Sequence, residues 1–343
     1  MRANHMLFIV VSVLALCSFA ANADEAWLEQ QNIYDTVSHL ADGTYYLAAM
    51  PAGMIGVVIT PGTTCQRDGT VYFQVYDLNG GLRSTTLLHR EERERDICLP
   101  SFAVTPNGNI DVFWSSYSGH LYWARIRPNG NVITPPRMVA ISPKEVLVGG
   151  PLLPVSRQDK IIGIGGCYCD PTTMCLPCST RLVMDREGRV LQTKDYLGFE
   201  IRRNHAIAVD ERGTMHLVTH LGSRDHPEIS IIYRSFDADG NLEEETTVAS
   251  KVFRGGSYPG LGISLDAEGT VHIYYTYARL GKHPGGRDDI WEVGHVVHKG
   301  KAPAKGPRSP IVLTTQFEDV FTVDKAGAVK KLPKPAKQEG RTR

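Results

Sequence analysis

Residues 255–279 read GGSYPGLGISLDAEGTVHIYYTYAR, and this stretch decides the fold. Two runs of alternating apolar and polar residues flank an acidic turn that runs from Asp266 to Gly269. Alternation with a period of two predicts β-strands, and the short Asp/Gly segment predicts the tight turn of an antiparallel hairpin. Charged and aromatic residues stand at the outer ends of both runs. The stretch therefore predicts a hairpin whose open end carries a polar surface.

The same pattern recurs along the chain. Similar hairpins begin at Ala103, Ala206 and Gly262, and each is followed by a second hairpin. The glycines of the second turns stand at positions 80, 130, 188, 240, 300 and 327. The first five are spaced by about 50 to 60 residues, which is typical of one four-stranded propeller blade, and the last interval is about half as long.

These repeats predict an all-β fold, a six-bladed β-propeller of four-stranded antiparallel blades. A single sheet cannot bury both of its faces, but sheets stacked around an axis can. Because closing the ring removes exposed sheet edges, we expect the N-terminal segment around residues 27–34 to complete the short last blade.

The chain divides into three segments by composition. Residues 1–23 read as a signal peptide, with an apolar run too short to span a bilayer followed by Ala21-Asn22-Ala23, an A-x-A cleavage site. Residues 24–332 are predicted to form the single propeller domain, and residues 333–343 a disordered basic tail. We therefore expect a protein that is secreted or periplasmic.

The charge balance restricts the partners. The chain has 37 Lys and Arg residues against 37 Asp and Glu residues, so nothing in its net charge favours a nucleic acid. No later segment is long enough for a membrane span, and the sequence contains no phosphate-binding loop or zinc-protease motif. We predict no cofactor, no metal at the site, and a monomer.

The predicted topology sorts the polar residues onto two faces. In a meandering blade the turns between strands one and two, and between strands three and four, lie at the same end, which we call the lower face. The Asp and Gly residues of these turns are explained by turn geometry rather than by metal binding. The other loops form the upper face, which holds most of the clustered Arg, His and Tyr and, like many scaffold loops, is the expected place for function.

The cysteines also fall on the upper face. Apart from Cys17 of the signal segment, the chain has six, at Cys65, Cys98, Cys167, Cys169, Cys175 and Cys178. An even number in an exported chain favours three disulfides, whose connectivity the sequence leaves open. The run CYCDPTTMCLPC has the alternative of holding zinc through four thiolates.

One candidate site lies in the segment RRNHAIAVDERGTMHLVTH. A hairpin folded about its turn brings His205 and His220 to the same upper end, beside Arg202 and Arg203, while His216 stays within strand two. Two imidazoles beside guanidinium groups suit proton abstraction from an acidic sugar whose carboxylate is held by arginine. The alternative is that the histidines only complete hydrogen bonds in a polar channel.

The opening stretch and its neighbouring loops supply the other candidates. Arg254, Tyr258 and Arg279 lie at the upper end of one blade, and Arg224 lies in the upper loop HLGSRDHPE. Arginine recognises carboxylate or sulfate through two parallel hydrogen bonds. The HVVH run, with His295 and His298, falls in strand three, where alternation splits the pair across faces, and we interpret it as structural.

The segment SYPGLGISLDAEGTVHIYYTYARLG, with the later HVVH, resembles the repeats of sialidase-superfamily propellers with neuraminidase-like (BNR-type) repeats. The segment NHAIAVDERGTMHLVTH also resembles a repeat of related propellers, some of which are polysaccharide lyases that act on ulvan-type uronate polymers. The sialidase resemblance, clear over about residues 200–300, implies an arginine cluster that clamps a carboxylate, with Arg203, Arg254 and Arg279 as candidates, and a Tyr–Glu pair as the nucleophile. The chain lacks an R-I-P-type motif and a full S-x-D-x-G-x-T-W box.

Together these features predict an exported sialidase-like propeller that engages a glycan, anionic in character, at its upper face. As an enzyme it would be a glycoside hydrolase, with His205, His220 and Tyr258 as catalytic candidates and Arg202, Arg203, Arg224, Arg254 and Arg279 as substrate-binding candidates. The alternatives are a uronate lyase with a histidine base and a non-catalytic propeller that binds a glycan or a protein.

Overall fold

The computed structural model describes the strand-bearing part of the chain between residues 45 and 332. Outside the described residues lie 1–44, 51–52, 61–68, 78, 92–96, 117–119, 142–143, 146–151, 158, 167–177, 198–200, 202–204, 222–228, 251–259, 267, 280–289, 299–310, 315–319, 325 and 333–343. The described part contains no helix long and apolar enough to cross a membrane.

The strands form consecutive antiparallel sheets that each follow chain order. Sheets I to III consist of β1 (Tyr45–Met50), β2 (Met54–Ile59), β3 (Gly69–Asp77) and β4 (Leu82–Glu91); β5 (Ile97–Val104), β6 (Ile110–Ser116), β7 (Leu121–Ile126) and β8 (Val132–Met138); and β11 (Leu153–Ser156), β12 (Lys160–Gly166), β13 (Cys178–Asp185) and β14 (Val190–Leu197). Sheets IV to VI consist of β15 (Ala206–Val209), β16 (Met215–Leu221), β17 (Ser230–Phe236) and β18 (Leu242–Ala249); β19 (Leu261–Leu265), β20 (Val271–Arg279) and β21 (Ile290–His298); and β22 (Ile311–Thr314), β23 (Val320–Val323) and β24 (Val329–Lys331). A separate ribbon pairs β9 (Ala140–Ile141) with β10 (Lys144–Glu145).

The sheets follow one another around an axis. Their first strands contact each other in the cyclic order β1, β5, β11, β15, β19 and β22, and β22 contacts β1 again. One buried apolar cluster lies between each sheet and the next, and a further cluster joins Val320 and Leu332 of sheet VI to Ile55 and Tyr76 of sheet I. This cyclic stacking of meandering sheets is the architecture of a β-propeller.

The middle strands are apolar on both faces because each sheet packs between two neighbours. In β12, Ile161 belongs to the cluster shared with sheet II, while Ile162 and Ile164 belong to the cluster shared with sheet IV. The outer strands are different: in β18 and β8 most residues are exposed or half-buried. Strand β8 also carries Pro135 and Pro136, which suit an edge strand because proline has no N–H to donate to a further strand.

The lower-face turns are held by their own aspartates. Asp266 Oδ1 accepts the backbone N–H groups of Glu268 (3.0 Å) and Thr270 (2.7 Å), and Asp210 Oδ1 accepts those of Arg212 (2.9 Å) and Thr214 (2.8 Å). Burial raises the pKa of Asp266, but the hydrogen bonds that its carboxylate accepts outweigh this and lower the pKa below the ordinary value of 3.8. These carboxylates therefore stabilise the turns by accepting their backbone N–H groups.

Part of the predicted architecture is confirmed and part is corrected. The all-β propeller is confirmed. The prediction of four strands in every one of six blades is not met by the described residues, because sheets V and VI contain three strands each. The segment expected to complete the last blade, residues 27–34, lies outside the described residues, so that closure stays a prediction.

The turn glycines Gly188 and Gly269 allow the energetic cost of backbone strain to be compared with the cost of overpacking. Both have positive φ (75° and 81°), but a Cβ on Gly188 would lie 2.7 Å from Trp123 Cε3, whereas a Cβ on Gly269 would meet no atom within 4 Å. We expect Gly269→Ala to cost about 1 kcal/mol of unfolding free energy from strain alone, and Gly188→Ala about 1 to 3 kcal/mol more from overpacking. Urea unfolding of the two variants checks this, and equal losses would show that the turn of sheet III does not pack on sheet II.

Candidate functional site

The upper end of sheet IV brings two predicted histidines together. His205 directly precedes β15, and His220 lies near the end of β16, whose register pairs Ala206 with Val218. The two imidazole rings have centroids 4.8 Å apart and planes inclined by 76°. Both side chains are buried, with 5% and 8% of their surface exposed. The prediction that the hairpin places them at the same end is confirmed, while their roles stay a prediction.

The other predicted site residues lie at the limits of the described part. Arg279 is the last residue of β20 and pairs with Ile290 at the upper end of sheet V. Outside the described residues lie Arg202, Arg203, Arg224, Arg254 and Tyr258. The arginine clamp on the upper face is therefore a prediction that this structure does not test.

Most of the predicted disulfide cysteines also lie outside the described residues. Cys98 lies in β5 and Cys178 begins β13. Outside the described residues lie Cys65, Cys167, Cys169 and Cys175. Disulfides and a zinc site both stay open, and among the described residues no group of three His, Cys, Asp or Glu side chains is placed to hold a metal ion.

A Tyr–Glu pair lies at the upper end of sheet V. Tyr277 of β20 stands directly opposite Glu292 of β21, and its hydroxyl donates a hydrogen bond to the Glu292 carboxylate. Both side chains are half-buried. The pair was not among the predicted site residues, although the hairpin register of β20 and β21 contains the signal for it.

The lower half of sheet IV contains a second histidine cluster. His216 Nδ1 lies 2.7 Å from the Tyr233 hydroxyl, and His216 Nε2 lies 3.8 Å from Asp210 Oδ2. From sheet V, His298 contacts the Tyr233 ring at 4.4 Å between centroids, and its Nε2 lies 3.0 Å from Glu244 Oε1. The cluster therefore joins two sheets by polar contacts in addition to their shared apolar core.

A related cluster lies on the opposite face of sheet V. His272 lies 3.5 Å from Asp266 and 3.1 Å from His295, and the His295 ring stacks on Tyr274 at 4.3 Å between centroids. Partial desolvation and the neighbouring His272 lower the pKa of His295 below its ordinary value. The structure thus separates His295 and His298 onto two faces, as strand alternation predicted.

These lower clusters are suited to stabilising the fold. In each, the aspartate that closes a lower-face turn lies within 4 Å of the histidine of the following strand, and the tyrosine is buried between sheets. Burial raises the pKa of Tyr233 and of Tyr274 to about 12, so both are protonated at neutral pH. A neutral tyrosine held beside a histidine and away from solvent stabilises the sheet contact and is poorly placed to reach a substrate.

No protein-family model matches the sequence, and no curated protein is similar to it. Solved structures are similar in shape. The β-propeller domain of the Trilobed protease from Pyrococcus furiosus has a TM-score of 0.41 and 12% identity, with 85% of this chain and 84% of that chain covered. The α-L-arabinanase of Penicillium chrysogenum has a TM-score of 0.43 and 11% identity, with 68% of this chain and 79% of that chain covered.

A GH43 β-xylosidase/α-arabinofuranosidase from a compost metagenome, CoXyl43, has a TM-score of 0.44 and 11% identity, with 77% of this chain and 93% of that chain covered. The similar structures include a protease domain as well as glycosidases. A similarity this remote carries no argument about what this chain binds or transforms.

The Tyr233 hydroxyl provides a pH-dependent test of the lower cluster. At pH 7 we expect Tyr233→Phe to lower the free energy of unfolding by about 1 to 2 kcal/mol, because a buried hydrogen bond is lost. Since the folded-state pKa is raised from 10.0 to about 12, the wild type loses stability as pH rises above 10, when the unfolded chain ionises first. The variant should lose less stability over that interval.

Urea unfolding between pH 7 and pH 12 measures both effects. A double-mutant cycle with His216→Leu is the control, because the two substitutions remove the same hydrogen bond and should not be additive. Additive losses, together with an unchanged high-pH limb, would contradict the contact.

Proposed function

We propose that the upper face of this propeller binds an anionic glycan beside the His205–His220 pair. The observation that carries the proposal is the 4.8 Å approach of the two rings at the upper end of sheet IV, next to its innermost strand. Sites in propellers and other rigid scaffolds are commonly built from loops at one end, since the sheets hold them in place. Both rings are largely buried and three of their four ring nitrogens are inaccessible to solvent, so direct contact with a ligand would require neighbouring side chains to shift.

The chemistry of the predicted neighbours supports an acidic sugar. Imidazole nitrogens exchange hydrogen bonds with sugar hydroxyls, and the predicted arginines Arg202, Arg203, Arg224, Arg254 and Arg279 would pair with a carboxylate. The chain is electrically balanced overall, so recognition of an anion would depend on this local concentration of arginine. Such a site selects a carboxylated glycan over a neutral one.

Two catalytic forms of the proposal use different residues. In a uronate lyase, His205 or His220 would take the proton on the carbon next to the sugar carboxylate, whose charge arginine stabilises. In a sialidase-like hydrolase, a Tyr–Glu pair would supply the nucleophile; Tyr277 and Glu292 are hydrogen-bonded in the required combination, and Tyr258 is the other tyrosine candidate. The third form is a module that binds the glycan without transforming it.

The wider setting is part of the proposal. We assign the chain to an exported protein of the sialidase-like superfamily with BNR-type repeats, in which residues 1–23 are a signal peptide and the six upper-face cysteines form disulfides. Sheets V and VI would be the fifth and sixth blades of the ring, and the segment around residues 27–34 would complete the last of them. We propose that the protein acts as a monomer.

A glycan array combined with turnover assays tests the proposal. The full-length exported protein is probed with sialylated, uronate-containing and neutral oligosaccharides, and each ligand that binds is then incubated with the protein. We expect binding confined to carboxylated glycans. An unsaturated product would identify a lyase, released reducing sugar a hydrolase, and binding without product a module that only holds the glycan.

Substitution then assigns the site. His205→Ala and His220→Ala should each weaken binding at least tenfold or, in the catalytic forms, lower kcat by about 10² to 10⁴. His298→Gln is the matched control, because it removes an imidazole from the lower half of the same sheet pair. A pair with a purely structural role would lower Tm in both alanine variants and leave affinity and kcat unchanged, and that result, or the absence of glycan binding, overturns the proposal.

A further inference from the structure

A cleft of about 320 Å³ lies between sheets III and IV on the lower face, opposite to the proposed glycan site. Its walls come from the turn between β11 and β12, from the middle of β13, and from the two lower turns of sheet IV. The charged side chains on these walls are Arg157, Asp159, Lys160, Arg181, Glu211 and Arg212. A volume near 300 Å³ is at the lower end of the range for small-molecule sites.

Arg181 is the unusual member of this group. It is 98% buried, with a relative exposure of 2%, in the strand face that points towards sheet IV. Its guanidinium donates to two neutral acceptors, Gln192 Oε1 at 3.1 Å and the backbone oxygen of Ala238 at 2.7 Å. Within the described part of the chain its buried Nε–H has no acceptor, and the guanidinium forms no ion pair. A buried cation in this state is costly, so the position calls for an anion.

The neighbouring sheets show what a paired arginine looks like in a third strand. The third strands of sheets II and IV also carry an arginine. Arg125 Nε lies 2.7 Å from Asp111, and Arg234 Nε lies 2.6 Å from Glu245 on the outer strand. In sheet III the outer strand offers Arg181 the neutral amide of Gln192 instead. Among these three arginines, only Arg181 therefore lacks a carboxylate partner within the described residues.

The remaining charges favour an anion as well. Arg157, Lys160 and Arg212 line the cleft against two carboxylates, those of Asp159 and Glu211, so that with Arg181 the lining has two more cations than anions. Arg157 is oriented by a hydrogen bond to the backbone oxygen of Val209 at 3.2 Å. One deeply buried guanidinium and several cations around it are the usual elements of an oxyanion site.

We propose that this cleft binds a small carboxylate ligand, such as an organic acid or an acidic monosaccharide, through Arg181. Carboxylate is preferred over phosphate or sulfate because its planar, singly charged group matches the guanidinium fork and supplies the acceptor that Nε lacks. The occupant would complete the contact that Asp111 and Glu245 make in the adjacent sheets. The site is separate from the upper face and stands whether or not that face binds a glycan.

Titration calorimetry with three probes at constant ionic strength tests the ligand class. The probes are sodium glucuronate, glucose as its neutral counterpart of similar size, and inorganic phosphate. We expect saturable binding of glucuronate and none of glucose. Phosphate binding that equals or exceeds glucuronate binding overturns the carboxylate assignment, and the absence of saturable binding by either anion overturns the site.

Two variants locate the binding. Gln192→Glu supplies Arg181 with an internal carboxylate of the kind found at Glu245, so it should lower glucuronate affinity at least tenfold and raise Tm. Arg181→Met removes the cation while keeping an apolar side chain and should remove the component of glucuronate binding that Gln192→Glu weakens; if it fails to fold, Gln192→Glu alone decides. Arg189→Ala, which removes an exposed cation outside the cleft lining, should leave affinity unchanged. Undiminished binding in Gln192→Glu contradicts the proposal.

Discussion

The burial of both faces of every sheet is the constraint on which the rest of the structure depends. Strands such as β2 and β12 place fully buried isoleucines and valines on alternate sides. A single meandering sheet with such strands would expose one apolar face, so it is stable only between two others. The cyclic order of the sheets satisfies this requirement without leaving a first or last sheet uncovered. Stability is therefore shared around the ring instead of residing in one sheet.

The same constraint decides where polar groups can lie. Between the sheets many of them lie in paired sets, such as the His216–Tyr233 contact and the Arg125–Asp111 ion pair. At the lower turns the aspartate carboxylates accept hydrogen bonds from backbone N–H groups of the same turn. The two proposed sites rest on other buried polar groups: the His205–His220 pair at the upper end of sheet IV, and Arg181, whose charge no described carboxylate compensates. Departures from local consistency are where function is expected.

Local sequence patterns were sufficient for the repeating parts of the fold. The Asp/Gly turns, the meeting of His205 with His220, and the separation of His295 from His298 all follow from strand alternation and turn spacing within one hairpin. The Tyr277–Glu292 pair follows from the same register. Contacts inside a hairpin are thus readable from the chain.

Contacts between sheets were not predictable in this way. Arg181 stands at a buried position of an alternating run, and this pattern indicated a polar side chain between two sheets. Its acceptors, however, are the neutral groups of Gln192 on the outer strand and Ala238 in the next sheet. The sequence spacing does not predict that these two residues lie near Arg181. The outer strands of sheets V and VI stay a prediction, because the segments expected to supply them lie outside the described residues.

Native-state hydrogen exchange of a Leu332→Ala variant tests the cyclic arrangement most directly. Leu332 is 1% exposed and packs, directly after β24, onto Ile55, Val57 and Tyr76 of the first sheet, so its truncation should cost about 2 to 5 kcal/mol. The ring predicts faster exchange of the β2 and β3 amides together with those of β23, before any change in β12. Acceleration confined to sheet VI, with β2 unaltered, would contradict a closed ring.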